Sequence, residues 1–264
     1  MTYTNILVEA ADGIATITVN RPKALNALNL ATIAELEAAF RAMHDDAAIR
    51  VVILTGAGEK AFVGGADVKE LHEIVQGSAE AGRDALSLGG RPLIALMQNL
   101  GKPVIAAVNG YCLGGGCELL YACTLAYASD GARFGHPEIN LGIYPLLGGT
   151  QQLPRLVGTK KAMELLLLGE MIDAAEALRL GIINGVVAAQ ELVPTVRRVA
   201  AALAAKPRLA ARLIMEFVRH AGDVTVEQGM DLEANAFGLV CGTAEAIGGT
   251  RAFLEKRQAH SPGR

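Results

Sequence analysis

Hydrophobic spacing divides the chain into strands and helices that alternate. Ile6-Leu7-Val8 and Ile14-Ala15-Thr16-Ile17-Thr18-Val19 lie on either side of the turn signal Asp12-Gly13, which predicts an N-terminal hairpin. Over residues 30–43 the apolar residues Ile33, Leu36, Ala39, Phe40 and Met43 recur at spacings of three and four, one stripe of a helix. Val51-Val52-Ile53-Leu54 is an unbroken apolar run ending near Gly56, the pattern of a strand buried on both faces. The unit then recurs: a helical stretch over residues 85–100, a strand over residues 103–108, and a glycine cluster. A further strand is predicted over residues 124–128, after a helix expected from Cys117 onward. Beyond Gly148 only residues 182–187 read as a strand, and helical stripes dominate to Arg257. The alternation predicts an α/β fold with a helical C-terminal third.

Composition narrows the class. The 264 residues are 52% hydrophobic and 19% charged, with a formal net charge of −3, so a large core is expected and nucleic acid is an improbable partner. Every apolar run is cut by charge, Gly or Pro well before the roughly 20 residues of a spanning helix, so no membrane is expected. The apolar excess is instead read as subunit contact. Cys112, Cys117, Cys123 and Cys241 form no C-x-x-C pair and sit among apolar neighbours, which suits reduced thiols. The start carries neither a basic n-region nor a cleavage signal, and the expected compartment is the cytoplasm.

Two segments, VVILTGAGEKAFVGGADVKEL and VIAAVNGYCLGGGCELL, share one layout: apolar strand, glycine-rich turn, then an acid on an incipient helix. Glycines admit close backbone approach, and a helix that starts directly afterward leaves its first N–H groups unpaired. Two such donors converging on one point are what an oxyanion or enolate requires, and the candidates lie near Ala66 and Gly115. The competing reading is close helix–strand packing alone. Glu118, after Gly114-Gly115-Gly116-Cys117, and Glu138, in Phe134-Gly135-His136-Pro137-Glu138, could together hold a water and shuttle its proton. Singly, each also reads as a helix-start or loop acid.

Other chemistries lack support. No P-loop occurs, and Gly56-x-Gly58-x-x-Ala61 meets two further glycines where a dinucleotide fold needs an uninterrupted helix. No G-x-S-x-G is present, and the five histidines share no ligand spacing with the cysteines, so no metal is expected. Cys117 reads as a nucleophile at a helix start or, more simply, as a small residue filling a tight turn.

At this point the sequence resembles the crotonase (enoyl-CoA hydratase/isomerase) superfamily essentially end to end. The matching stretches are Asn20-Arg21-Pro22-Lys23-Ala24-Leu25-Asn26, Ala61-Phe62-Val63-Gly64-Gly65-Ala66-Asp67-Val68-Lys69, Lys102-Pro103-Val104-Ile105-Ala106-Ala107-Val108-Asn109-Gly110 leading to Gly114-Gly115-Gly116-Cys117-Glu118, and Phe134-Gly135-His136-Pro137-Glu138. Gly148-Gly149-Thr150-Gln151 and residues 252–257 complete the match. The resemblance implies a crotonase-like spiral of ββα units over residues 1–195 and a helical trimerisation region over residues 196–264. It further implies a homo-trimer or a hexamer built as a dimer of trimers.

It also implies an acyl-coenzyme A thioester as substrate, with no permanently bound cofactor. The implied activity is reversible hydration of a 2-enoyl-CoA. The positions of Ala66 and Gly115 supply the oxyanion donors, and those of Glu118 and Glu138 hold the water. Coenzyme A is expected along Lys23, Ala24 and Leu25 and from Gly64 through Ala66, Asp67 and Val68 to Lys69, with Lys256 as a further phosphate contact.

Where hydratases usually read Pro-Gly-Ala-Gly-Gly-Thr, this chain has Pro145-Leu146-Leu147-Gly148-Gly149-Thr150. Leu146 and Leu147, with Cys117, are therefore expected in the substrate pocket. His136 stands where the family commonly has glutamine. Isomerisation, a cyclic or branched substrate, and a non-catalytic acyl-CoA scaffold are the competing implications.

Overall fold

A computed structural model describes residues 3–88 and 90–255. β1 (Ile6–Ala11) and β2 (Ile14–Val19) form the antiparallel hairpin, with Ala11 opposite Ile14. A 3-10 turn at Pro22–Ala24 leads to α1 (Leu30–Asp45), which Asn29 caps by accepting from the Thr32 N–H. The next strands come in pairs. β3 (Val51–Gly56) is followed by β4 (Ala61–Val63) and by α2 (Val68–Gln76), α3 (Ala79–Leu88) and α4 (Gly90–Gln98). β5 (Val104–Val108) is followed by β6 (Tyr111–Leu113) and α5 (Gly115–Ala122), and β7 (Leu125–Ser129) by β8 (Arg133–Gly135) and a 3-10 turn at Pro137–Leu141.

The first strand of each pair joins a 6-stranded sheet of order β1-β2-β3-β5-β7-β10, and the second joins a 4-stranded sheet of order β4-β6-β8-β9. Here β9 is Met171–Asp173 and β10 is Gly185–Val187. This is the ββα spiral. Apart from β1–β2 and β8–β9, the paired strands run parallel. The large sheet is covered on both faces, which explains the unbroken apolar runs. Val52, Leu54, Val104 and Ala106 point into the main core with Phe40, Phe62 and Phe134. Val51, Ile53 and Ile105 point the other way, against Leu192, Val196 and Ala200.

Those last residues belong to α9 (Leu192–Ala204), which follows α6 (Gly149–Val157), α7 (Thr159–Leu168) and α8 (Ala174–Arg179). The division expected between residues 195 and 196 thus falls inside a helix packed on the large sheet. The helices beyond it, α10 (Arg208–His220), α11 (Val226–Val240) and α12 (Ala244–Leu254), bury little of their apolar surface. Val218 is 71% exposed, Phe237 66% and Phe253 83%. Among the described residues no helix is long and apolar enough to cross a membrane.

Candidate active site

The two glycine clusters end side by side. After β4 the chain passes Gly64 and Gly65, whose φ of +111° only glycine adopts readily, and reaches Ala66, which bridges to Leu28. The Leu28 N–H donates to Gly65 O and the Asp67 N–H to Leu28 O, both at 2.8 Å, so the neighbours of Ala66 are tied down. The Ala66 N–H itself meets no acceptor among the described residues. Asp67 then caps α2, accepting from the Lys69 N–H, and pairs with Arg21 at 2.8 Å. That guanidinium, first among the causes, holds the Asp67 carboxyl below the usual range. Arg21 also donates to Ala27 O at 2.6 Å, fastening the loop before α1 to the loop before α2.

At the second cluster Gly114, at φ +51°, turns the chain into α5, and Gly115 opens the helix with its N–H likewise unpaired among the described residues. Gly116 sets the depth of that helix: a Cβ there would stand 2.2 Å from Val63 O. Two asparagines in the matching motifs brace the loop between β3 and β4. Asn26 is fully buried and its Nδ2 donates to Ala61 O at 2.7 Å, while Asn109 Nδ2 donates to Gly58 O at 2.7 Å.

Ala66 and Gly115 line one cavity of about 190 Å³, together with Gly64, Asp67, Val68, Glu118, Glu138, Leu146 and Leu147. Glu118, on the first turns of α5, is 2% exposed. Its Oε1 accepts from the Leu147 N–H at 2.6 Å and the Gly149 N–H at 2.8 Å. Burial pushes this carboxyl above the ordinary glutamate value, against the stabilising pull of the Gly149 N–H. Glu138 lies in the 3-10 turn after β8, and its Oε1 is 3.3 Å from His136 Nδ1. Its Oε2 is buried with no hydrogen-bond partner among the described residues. A Cβ on Gly114 would stand 3.0 Å from Glu138 Oε1, and one on Gly149 3.2 Å from Glu118 Oε1, so both carboxyls pack closely against glycine.

His136 is 2% exposed and its Nε2 lies 3.0 Å from the Tyr121 hydroxyl. Burial pulls the imidazole downward, but the hydrogen bond to Glu138 and the neighbouring negative groups outweigh it and raise the ring to about 8. Sequence reasoning did not single out Tyr121, Arg21, Asn26 or Asn109. The only signal available was that the last three fall inside the matching motifs.

The other expected residues separate into groups. Lys23 and Leu25 border a neighbouring depression with Pro22 and Lys60, and Leu25 O accepts from the Gly64 N–H at 2.8 Å. Ala24 is exposed in the turn between them, and Lys69 is exposed on α2. Cys117 does not line the cavity: it is 1% exposed and its thiol donates inward to Cys112 O at 2.9 Å. It sits one residue before Glu118 on a helix, which turns it to a different face, so it fills the tight turn instead of the pocket wall. Lys256 lies outside the described residues. No group of His, Cys, Asp and Glu among the described residues is arranged to hold a metal ion.

Comparison with known proteins gives the same reading. The enoyl-CoA hydratase/isomerase family model matches residues 9–263. A crotonyl-CoA hydratase from Syntrophomonas wolfei is 44% identical over 98% of both chains. A short-chain-enoyl-CoA hydratase from Clostridium acetobutylicum is 40% identical over 98% of this chain and 97% of its own. The crystal structure of an enoyl-CoA hydratase from Bacillus anthracis superposes with a TM-score of 0.92 at 38% identity, covering 99% of this chain and 100% of that one. Fold, motif positions and overall similarity agree, and the chain belongs to the enoyl-CoA hydratase/isomerase family.

Proposed function

We propose that the protein is an enoyl-CoA hydratase, adding water reversibly across the double bond of a 2-enoyl-CoA thioester to give a 3-hydroxyacyl-CoA. The observation that carries this reading is the presence, around one cavity, of two carboxyl groups and of two residues whose peptide N–H groups have no acceptor among the described residues. The Ala66 and Gly115 N–H groups receive the thioester oxygen as it gains enolate charge, and a donor of this kind is typically worth about 100- to 1,000-fold in rate. Glu118 orients a water and takes one of its protons as the new C–O bond forms at the β-carbon. The π-electron pair moves toward the thioester, and Glu138 delivers a proton to the α-carbon. Each acid has the hold its role needs: Oε1 of Glu118 is fixed by two peptide N–H groups, and Glu138 keeps one oxygen uncommitted.

The coenzyme A moiety is assigned to Lys23, Ala24 and Leu25 and to the stretch from Gly64 to Lys69, with Lys256 as a phosphate contact. The exposed apolar faces of α10, α11 and α12 support assembly into a trimer or a dimer of trimers. The reduced cysteines, which form no disulfide among the described residues, fit a cytoplasmic enzyme.

The test is a panel of 2-enoyl-CoA thioesters incubated in heavy-oxygen water. Label in a 3-hydroxyacyl product supports hydration. A shifted double bond without label means isomerisation, and tight binding with no product means a scaffold.

A further inference from the structure

Glu138 does not stand alone in its wall of the cavity. It is the last member of a part-buried chain that starts at the Tyr121 hydroxyl on α5, passes through both ring nitrogens of His136, and ends at Glu138 Oε1, with steps of 3.0 Å and 3.3 Å. We propose that His136 is a positioning residue for the hydration step: anchored by Tyr121, it grips Glu138 by Oε1, leaves Oε2 free beside the cavity, and shares with Glu138 the proton that this acid passes to the α-carbon. The inference rests on the hydratase reading above.

The geometry makes the hold one-sided. Oε1 is engaged while Oε2 is buried without a partner among the described residues, so the carboxyl has one oxygen for the protein and one for what enters the cavity. A buried oxygen left unpaired is costly, and such costs persist where function uses them. The ring is enclosed and anchored: it is 2% exposed, and its Nε2 lies 3.0 Å from the Tyr121 hydroxyl.

Charge determines the proton count. Among the described residues, the titratable groups acting on the ring are Glu138 on its own turn and Glu118 and Cys117 on α5, with the Tyr121 hydroxyl against Nε2. Burial opposes a charged imidazole, yet the carboxylates keep it protonated to about 8. The ring therefore holds a proton near neutrality, and its Nδ1 lies 3.3 Å from the Glu138 Oε1 to which that proton can pass. Hydration consumes it: the α-carbon gains the C–H bond, the electron pair stays on the carboxylate, and the imidazole is left neutral. The proton that Glu118 took from water returns to the pair through solvent, and the cycle closes. Once the ring has lost its proton to rising pH, this store no longer supplies the α-carbon.

The experiment is kcat and KM against pH, with a short 2-enoyl-CoA, for wild type, His136→Gln and Tyr121→Phe. In the wild type, kcat/KM, which reports the free enzyme, falls as pH rises through about 8. In His136→Gln the amide can still hold Glu138 but cannot store a proton, so this basic limb moves down by roughly one pH unit or more, and kcat drops further than KM changes. Tyr121→Phe moves the limb the same way by less. An unshifted limb in a folded His136→Gln overturns the proposal, and so does a loss of activity with the wild-type pH profile. If His136→Gln does not fold, Tyr121→Phe, which keeps the ring, decides on the same criterion. Failure of the wild type to hydrate any enoyl-CoA overturns the hydratase reading instead.

Discussion

The Leu147 N–H lies 2.6 Å from Glu118 Oε1, and this contact fastens the cavity wall to the acid at its base. The Gly149 N–H supplies a second donor to the same oxygen at 2.8 Å. A glutamine at position 118 can still accept both through its amide oxygen but cannot take a proton from water. Glu118→Gln is expected to lower kcat by at least about 100-fold with little change in unfolding free energy. Glu118→Ala leaves both peptide donors buried and unpaired, at about 1–3 kcal/mol each, and is expected to lower stability as well. Steady-state hydration and urea unfolding of the two variants separate these effects; near-normal turnover in Glu118→Gln contradicts the assigned role.

Adjacent glycines in α5 have unequal tolerance. A Cβ on Gly116 meets Val63 O at 2.2 Å, a backbone atom that cannot step aside without separating α5 from β4. On Gly115 the nearest contact is Leu28 Cδ1 at 3.3 Å, the end of a side chain. Gly116→Ala is therefore expected to lower stability by about 1–3 kcal/mol or prevent folding. Gly115→Ala is expected to stay folded but bind substrate more weakly, since the methyl lies in the cavity beside the donor N–H. Thermal melts with steady-state kinetics check the pair. Equal melting points of the two variants would count against the packing argument.

How far the chain could be read before its fold was seen depended on the reach of each signal. The hairpin, α1, β3, β5 and β7 announce themselves because each carries enough apolar residues to show a period. The strands of the small sheet, β4, β6, β8 and β9, are three residues each, too short for alternation to register. β4 and β6 were hidden inside what read as glycine turns, and β9 inside a stretch that read as helical. Glu118 and Glu138 were legible as acids beside glycines, whereas Tyr121, which meets His136 from 15 residues away, was not, because nothing local marks a tyrosine as the partner of a distant ring. Cys117 was misplaced for a similar reason: adjacency in sequence to a site residue says little about which side of a helix a thiol takes.

Leu146 and Leu147 divide the work of the altered motif. Leu147 is wedged against Gly90 at the start of α4, where a Cβ would come within 2.1 Å of its Cδ2. Leu146 lines the cavity with Leu141, Ile143 and Tyr144. Trimming Leu146 therefore adds room without loosening the hold on Glu118, while trimming Leu147 also leaves a hole against α4. Leu146→Ala is expected to raise the kcat/KM of an eight-carbon enoyl-CoA relative to a four-carbon one by roughly tenfold, the scale of one or two methylenes in an apolar pocket. An unchanged ratio means that Leu146 does not face the acyl chain.

The buried imidazole also makes stability depend on pH. His136 is raised from 6.5 to about 8 in the folded chain, so the folded state binds its proton more tightly than the unfolded state does. The resulting stabilisation is fully present below about pH 6.5 and is lost as pH rises through about 8, and a shift of this size corresponds to about 2 kcal/mol. The difference in unfolding free energy between wild type and His136→Gln should thus shrink by about that amount between roughly pH 6 and pH 9. The exposed groups are common to both proteins and cancel in the difference, whereas Glu118, whose carboxyl the charged ring pulls downward, does not. The comparison must be made at one protein concentration, because any dissociation on unfolding adds a concentration term. A difference that stays flat across this range would mean that folding leaves the ring's affinity for its proton unchanged, and the proton store at His136 would then be absent.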